Sequence, residues 1–262
     1  MRTVLLGGGR ITGALLAGLR LAAYDQPLMV HDRHADKLRQ LTRQYRVRAE
    51  GDLCTAVRKA DLLIIAVRPE SVRELLREIG EIDHSATAVS LAAGVPLHKL
   101  RAALGPKVRW ARAMPSPVCR IGRGLTAVTF DRSLPTQQRR MINRFFARVG
   151  PVLEIPESKF DVFTATYSCS HGYHALGALA AAGESQGLDR NTALTAAAHA
   201  LADGILAWRE GKVPLDELLR EAATPGGIAA TTMAAMNKAG HTKAVVRGLR
   251  AGIQRARSHA RR

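Results

Sequence analysis

A chain of 262 residues, 47% of them apolar, can build one large core or two ordinary ones, yet no uncharged apolar run nears the ~20 residues of a membrane-spanning helix. Cys54, Cys119 and Cys169 form no C-x-x-C pair, which argues against a disulfide framework or a zinc knuckle and suits a reducing compartment. The formal charge of +17 favours anionic small molecules as partners, but the arginines are scattered and aromatics make up only 4%, too few to interleave as base-stacking platforms, so no specific nucleic-acid partner is expected.

Met1-Arg2 runs into a glycine cluster where a signal peptide would continue its apolar stretch, so the expected location is cytoplasmic. Thr3–Leu6 reads as a first strand, stopped by Gly7-Gly8-Gly9 and followed by a helix carrying Leu15, Leu16 and Leu19. Residues 27–31 read as a second strand and 36–45 as a helix. The run DLLIIAV at 61–67 is a strand buried on both faces, and strands follow at 86–91, 108–113, 125–130 and 151–155. After about residue 161 strand signals vanish, and alanine-rich helices are expected over 159–182, 191–210, 215–222 and 227–257. The basic tail with Arg255, Arg257, Arg261 and Arg262 reads as a solvated helix end.

The predicted class is therefore α/β: a Rossmann-type parallel sheet domain over residues 1–156, then an all-α domain over 157–262. So alanine-rich a helical half has few large apolar side chains for a core of its own, which predicts a homodimer formed through it, with higher oligomers left open.

A strand that ends in glycines and opens a helix presents backbone N–H groups and the positive helix end to a pyrophosphate. Gly7 and Gly9 fill the first two positions of the dinucleotide fingerprint; the third falls on Thr12, ahead of Gly13, so the turn with Arg10 and Ile11 reads G-x-G-x-x-T-G. At the end of the second strand Asp32 would suit a ribose 2′-hydroxyl and Arg33 a 2′-phosphate. His31, His34 and Lys37 tilt the expectation to NADP, with NAD as the other candidate.

The ordered segments Ala66-Val67-Arg68-Pro69-Glu70, Ser90-Leu91-Ala92-Ala93-Gly94, Arg112-Ala113-Met114-Pro115-Ser116 and Gly122-Arg123-Gly124-Leu125-Thr126-Ala127 follow the glycine turn. With Asp161-Val162-Phe163-Thr164-Ala165 and Thr224-Pro225-Gly226-Gly227 in the helical half, the whole chain resembles the pyrroline-5-carboxylate reductases, whose motifs read AVKPQ, SxAAG, RxMPN, GxGxTAL, DAVTALSGSGPAY and SPGGTT. The resemblance implies hydride transfer from NAD(P)H to a cyclic imine. It implies a cofactor along Ala66, Val67, Arg68, Pro69, Ala92, Met114 and Pro115, and a substrate near Ser116, Ser168, Cys169 and the turn Thr224, Gly226, Gly227, Ile228 and Ala229.

The departures fall on the substrate side. GSGPAY maps to Ser168-Cys169-Ser170-His171-Gly172-Tyr173, and SPGGTT becomes Thr224-Pro225-Gly226-Gly227-Ile228-Ala229, without its two threonine hydroxyls. A retained reductase chassis with a rebuilt pocket follows, for pyrroline-5-carboxylate or a related imine. Proton-donor candidates are His171, Tyr167 and Tyr173. Cys169 and His171, two apart on a helix, face different ways, which argues against a nucleophile–base pair. The histidines show no metal-ligand spacing, so no metal is expected. Two alternatives stay open: a β-hydroxyacid-type dehydrogenase, although 168–185 lacks the helix lysine that class would carry, and a non-catalytic nucleotide-binding relative.

Overall fold

The computed structural model describes residues 1–58 and 60–261. The chain forms two compact units, residues 1–167 with the chain from 252 on, and residues 168–251.

Among the described residues the first unit holds eight strands: β1 (Thr3–Leu6), β2 (Leu28–His31), β3 (Arg48–Glu50), β4 (Leu62–Ile65), β5 (Ala86–Ser90), β6 (Val108–Pro115), β7 (Thr126–Phe130) and β8 (Val152–Glu154). They form one sheet in the order β3-β2-β1-β4-β5-β6-β7-β8, parallel throughout except between β6 and β7. Every residue of β1, β4 and β5 is buried, as a sheet covered on both faces requires. Alternate residues feed opposite cores: Leu5, Ile64, Val89 and Ala111 pack with Leu15, Leu19, Phe145 and Phe146, while Val4, Leu6, Leu63, Ile65 and Trp110 pack with Val72, Leu75 and Leu76.

The covering helices are α1 (Arg10–Leu21), α2 (Ala35–Tyr45), α3 (Leu53–Val57), α4 (Pro69–Ile79), α5 (Leu97–Leu100) and α6 (Thr136–Ala147), with a 3-10 turn at Pro117–Ile121. Each begins where its sequence permits. Asp52 accepts the Thr55 N–H at 2.6 Å to start α3, and Pro69 sits at the first position of α4, where its missing N–H costs nothing.

The structure goes beyond the sequence expectation in several places, since α3 to α6 and the 3-10 turn had no range assigned to them. β3 was unforeseen, being a short edge strand with Arg48 and Ala49 exposed and no apolar alternation. The helix expected over 159–182 is two, α7 (Glu157–Thr166) and α8 (Cys169–Ser185), because Tyr167 and Ser168 leave the helical region. The helix expected over 227–257 is likewise α11 (Ile228–Lys238) and α12 (His241–Arg261), parted by Ala239-Gly240. Between them in chain order stand α9 (Arg190–Glu210) and α10 (Leu215–Ala222). Arg255 and Arg257 are exposed as expected of the basic tail, while Arg262 and the Arg261 side chain lie outside the described residues.

In the second unit α8 packs on α9 through small side chains, its buried cluster being Ala180, Ala193 and Ala197 with Leu176 against it. The last turns of α12 belong to the first unit. There Gly94 has φ +73°, and a Cβ on it would lie 1.9 Å from the Ala256 carbonyl oxygen, so only glycine admits the helix. No helix among the described residues is long and apolar enough to cross a membrane.

Candidate functional site

The parallel strands end at one edge of the sheet, and their register lines those ends up. His31, Leu6, Ile65, Ser90 and Arg112 stand side by side across β2, β1, β4, β5 and β6. Asp32, Gly7, Ala66, Leu91 and Ala113 each follow one of them, so the motif residues start from a single row. Strand order reverses between β1 and β4, the position at which open α/β sheets take up ligands beyond their carboxyl ends.

Gly7 sits in the left-handed half of conformational space, at φ +110°. A Cβ there would fall 2.8 Å from the Ala66 carbonyl oxygen and 3.1 Å from Val67 Cγ1, so this glycine lets the turn lie against the end of β4. Thr12 is fully buried, and its hydroxyl donates to the Gly7 carbonyl, closing the turn from inside. That bond gives a threonine a use at the third fingerprint position.

Gly9 is of another kind. It is the exposed N-cap of α1, with extended dihedrals and no capping side chain, and a Cβ on it would meet nothing within 4 Å. Its carbonyl accepts the Gly13 N–H at 3.0 Å, while the first-turn N–H groups of Arg10, Ile11 and Thr12 have no intrahelical partner by the geometry of any helix start. The first turn carries no acidic residue. Open space ahead of bare N–H groups and a positive helix end fits a dinucleotide pyrophosphate.

Beside the turn, Asp32 is held from several sides. Oδ2 accepts the Gly8 N–H at 2.7 Å, Oδ1 accepts the His34 N–H at 2.9 Å and His34 Nδ1 at 2.8 Å, and Lys37 Nζ stands 3.7 Å away. Burial alone would raise the Asp32 pKa; the bonds from Gly8 and His34 and the Lys37 charge outweigh it and hold the carboxyl below its ordinary value. Arg33 turns to α4, pairing with Glu74 at 3.2 Å and Glu78 at 2.7 Å.

The other expected cofactor residues line the same edge. Ala66 is buried, Val67 half-buried, Arg68 exposed as the N-cap of α4, and Pro69 begins that helix. Ala92 is buried and its N–H donates to Ser90 Oγ at 3.3 Å. Met114 and Pro115 pair with Ala127 and Thr126 on β7, and buried Ser116 accepts the Val118 N–H at 3.2 Å to start the 3-10 turn.

One residue here had no role assigned from sequence. Arg112, 1% exposed, donates from Nη1 to Glu157 at 2.9 Å and from Nη2 to Asp161 at 3.3 Å, and its guanidinium lies 4.3 Å from the Phe160 ring centroid. Glu157 Oε1 also accepts the Leu97 N–H at 3.0 Å, so the network ties β6 to α5 and α7. The available signal was the Glu157/Asp161 pair, four apart on one helix face.

Tyr167 ends the first unit, its ring 5.1 Å from that of Phe163 and half-buried. In the second unit, Ser168 precedes α8 and its hydroxyl is 2.7 Å from Ser170 Oγ. Cys169 is half-buried, while His171 and Tyr173 are exposed in the first turns of the helix. The other substrate stretch forms the turn between α10 and α11: the Gly227 N–H donates to the Thr224 carbonyl at 2.9 Å, Gly226 and Ala229 are exposed, and Ile228 is 88% exposed. Thr231 and Thr232, a little further along α11, donate back to the carbonyls of Gly227 and Ile228 at 3.0 Å, so their hydroxyls serve the helix itself.

The family model described as pyrroline-5-carboxylate reductase dimerisation matches residues 157–259, and that described as coenzyme F420-dependent NADP oxidoreductase matches residues 2–94. The pyrroline-5-carboxylate reductase of Corynebacterium melassecola is 31% identical over 242 residues, covering 89% of this chain and 88% of its own. That of Thermus thermophilus is 33% identical over 87% of this chain and 86% of its own. A crystal structure of Plasmodium falciparum pyrroline carboxylate reductase with NADP bound superposes with a TM-score of 0.89 at 20% identity, covering 99% of this chain and 98% of the other. With its fold, its ordered motifs and near-full-length identity above 30% in agreement, the chain belongs to the pyrroline-5-carboxylate reductase family.

Proposed function

We propose that this protein is an NADPH-dependent imine reductase that converts pyrroline-5-carboxylate, or a closely related cyclic imine, to the saturated amine. The observation that carries the reading is the open N-terminus of α1 at Gly9, set where strand order reverses and backed by Gly7 against Ala66. Family membership supplies the reaction class. Residues 1–156 hold the dinucleotide in this reading, and 157–262 hold the substrate and a second subunit.

Bound NADPH supplies the hydride. The chain's own task is to fix the two reactants in a near-attack geometry, which in well-oriented systems supplies about 7–11 kcal/mol of the barrier. The N–H groups of Arg10 and Ile11, with buried Thr12 closing the turn behind them, would hold the pyrophosphate, and the segments at Ala66–Pro69, Ala92 and Met114–Pro115 would hold the rest of the cofactor. Reduction of C=N also needs a proton on nitrogen. Tyr167 Oη, the His171 ring and Tyr173 Oη are the proposed donors, and the turn Thr224–Ala229, with Ser116, Ser168 and Cys169, recognises the imine. Ile228 and Ala229 in place of hydroxyl-bearing residues leave backbone N–H groups at the start of α11 to meet a carboxylate.

A homodimer through the helical part belongs to the same proposal. The second unit buries little beyond Ala180, Ala193 and Ala197, and leaves Leu179, Ile205, Leu206, Trp208, Leu215 and Leu219 exposed. Apolar faces of that extent mark an interface.

The test follows NADPH and NADH absorbance with pyrroline-5-carboxylate and a panel of cyclic imines with and without a carboxylate. Turnover of pyrroline-5-carboxylate, or of one related imine acid, is expected; nucleotide binding without turnover of any imine would contradict the assignment and favour a non-catalytic relative.

A further inference from the structure

Two charged residues, Asp32 and Arg33, follow β2, and the protein has already engaged both. The Asp32 carboxylate accepts bonds from the Gly8 and His34 N–H groups and from the His34 ring. Arg33 donates from Nη1 and Nη2 to Glu74 Oε1, each at 3.2 Å, and from Nη2 to Glu78 Oε2 at 2.7 Å. Glu74 and Glu78 are four apart on α4, hence on one face of that helix. Two carboxylates so placed repel each other, and a shared guanidinium relieves the repulsion. The arrangement is open: the Arg33 side chain is 53% exposed, and those of Glu74 and Glu78 are 64% and 47% exposed.

A guanidinium fork binds carboxylate and phosphate oxygens with the same N–H groups, so the two compete for it. A dinucleotide bearing a 2′-phosphate next to the β2 end must therefore win Arg33 from Glu74 and Glu78, whereas one with a free 2′-hydroxyl has no such contest. We propose that Glu74 and Glu78 are specificity-determining residues, an internal rival for Arg33 through which α4 sets how strongly the protein prefers a 2′-phosphorylated dinucleotide over its unphosphorylated counterpart. The proposal rests on the dinucleotide-binding reading above.

The experiment measures binding rather than turnover, by titrating NADPH and NADH into the full-length protein and following nicotinamide fluorescence. Four proteins are compared: wild type, E74Q/E78Q, R33A and R33A/E74Q/E78Q. The glutamine pair keeps shape and removes charge, and exposed pairs of this kind contribute little to stability, so all four should fold. E74Q/E78Q is expected to tighten NADPH about three- to tenfold and to leave NADH within about twofold, given the usual strength of exposed ion pairs. R33A should weaken NADPH alone, and adding the glutamine pair to R33A should tighten NADPH by clearly less than it does with Arg33 present, because only direct carboxylate–phosphate repulsion remains to be relieved. Tightening just as large without Arg33 as with it would mean a general loss of negative charge and would overturn the proposal. An unchanged NADPH-to-NADH ratio in E74Q/E78Q would overturn it too while leaving the dinucleotide site standing. Failure of the wild type to bind either nucleotide would instead bring down the reading on which the proposal rests.

Discussion

The Gly8 N–H donates to Asp32 Oδ2 at 2.7 Å, joining the glycine turn after β1 to the end of β2. The carboxylate is thus part of the turn's construction, whatever it later does for a ribose. Asp32→Ala takes the acceptor from the part-buried Gly8 N–H and from the exposed His34 N–H, which water can then serve, and is expected to cost about 1 kcal/mol. The pH dependence follows from the sign of the shift. The folded pKa lies below the ordinary aspartate value, so the charged carboxylate's contribution is complete above that value and is lost as pH falls through the lower, folded one. Thermal unfolding of wild type and Asp32→Asn should show a Tm gap that is constant from pH 7 to about pH 5 and closes toward pH 2. A gap that persists unchanged in acid would show that the charge is not what matters.

Gly7 and Gly9 are two apart and should respond oppositely to the same substitution. Gly7→Ala drives a Cβ toward the Ala66 carbonyl at a backbone angle alanine avoids, so it should lower Tm markedly and reduce soluble yield. Gly9→Ala meets no protein atom and keeps extended dihedrals, so Tm should move by less than about 2 °C. Its methyl group nevertheless enters the space ahead of α1, and NADPH affinity should fall at least about tenfold. Unimpaired nucleotide binding by the Gly9→Ala protein would place the dinucleotide elsewhere.

Arg112 is a buried cation facing two carboxylates of α7. Removing it leaves Glu157 and Asp161 uncompensated and strips Phe160 of its cation contact, which should cost about 3 kcal/mol, at the low end for buried pairs because both carboxylates are partly exposed. Urea unfolding of Arg112→Met measures it. Restoring neutrality with Arg112→Met/Glu157→Gln/Asp161→Asn should recover part of the loss; a triple variant less stable than the single one would refute this account of the network.

The docking of α12's last turns rests on Gly94. Gly94→Ala places a Cβ against the Ala256 carbonyl, backbone against backbone, and no side-chain rotation relieves it. Hydrogen exchange should show faster opening over residues 252–259 in that variant, with β1 and β4 protected as before. Uniform protection across the C-terminal turns would contradict the close approach.

Much of the first unit was legible because its strands are buried on both faces. The runs at Thr3–Leu6 and Leu62–Ile65 could hardly be anything else. β3 was not, since an exposed edge strand of Arg48, Ala49 and Glu50 carries neither alternation nor apolar content. The break at Tyr167-Ser168 was hidden by helix-compatible text on both sides of it, although a serine ahead of a helical run is a known start signal. The glycine turn was readable through Gly7, Gly9 and Gly13, yet the inward use of Thr12 was not. Least legible were the charges. Arg112 finds its partners 45 and 49 residues further on, and Arg33 finds its own 41 and 45 residues on, so in the sequence each looks like one more arginine in a basic chain.

In the proposed reaction a hydride passes from the reduced dinucleotide to a C=N carbon. Single-turnover reaction of the purified protein with NADPH deuterated on the transferring nicotinamide carbon and with pyrroline-5-carboxylate, read by mass spectrometry, tests it most directly. The expected product is proline one mass unit heavier, with the deuterium on the former imine carbon and none when unlabelled NADPH is used. Bound NADPH with no labelled product, from pyrroline-5-carboxylate or from any imine acid of the panel, would contradict it.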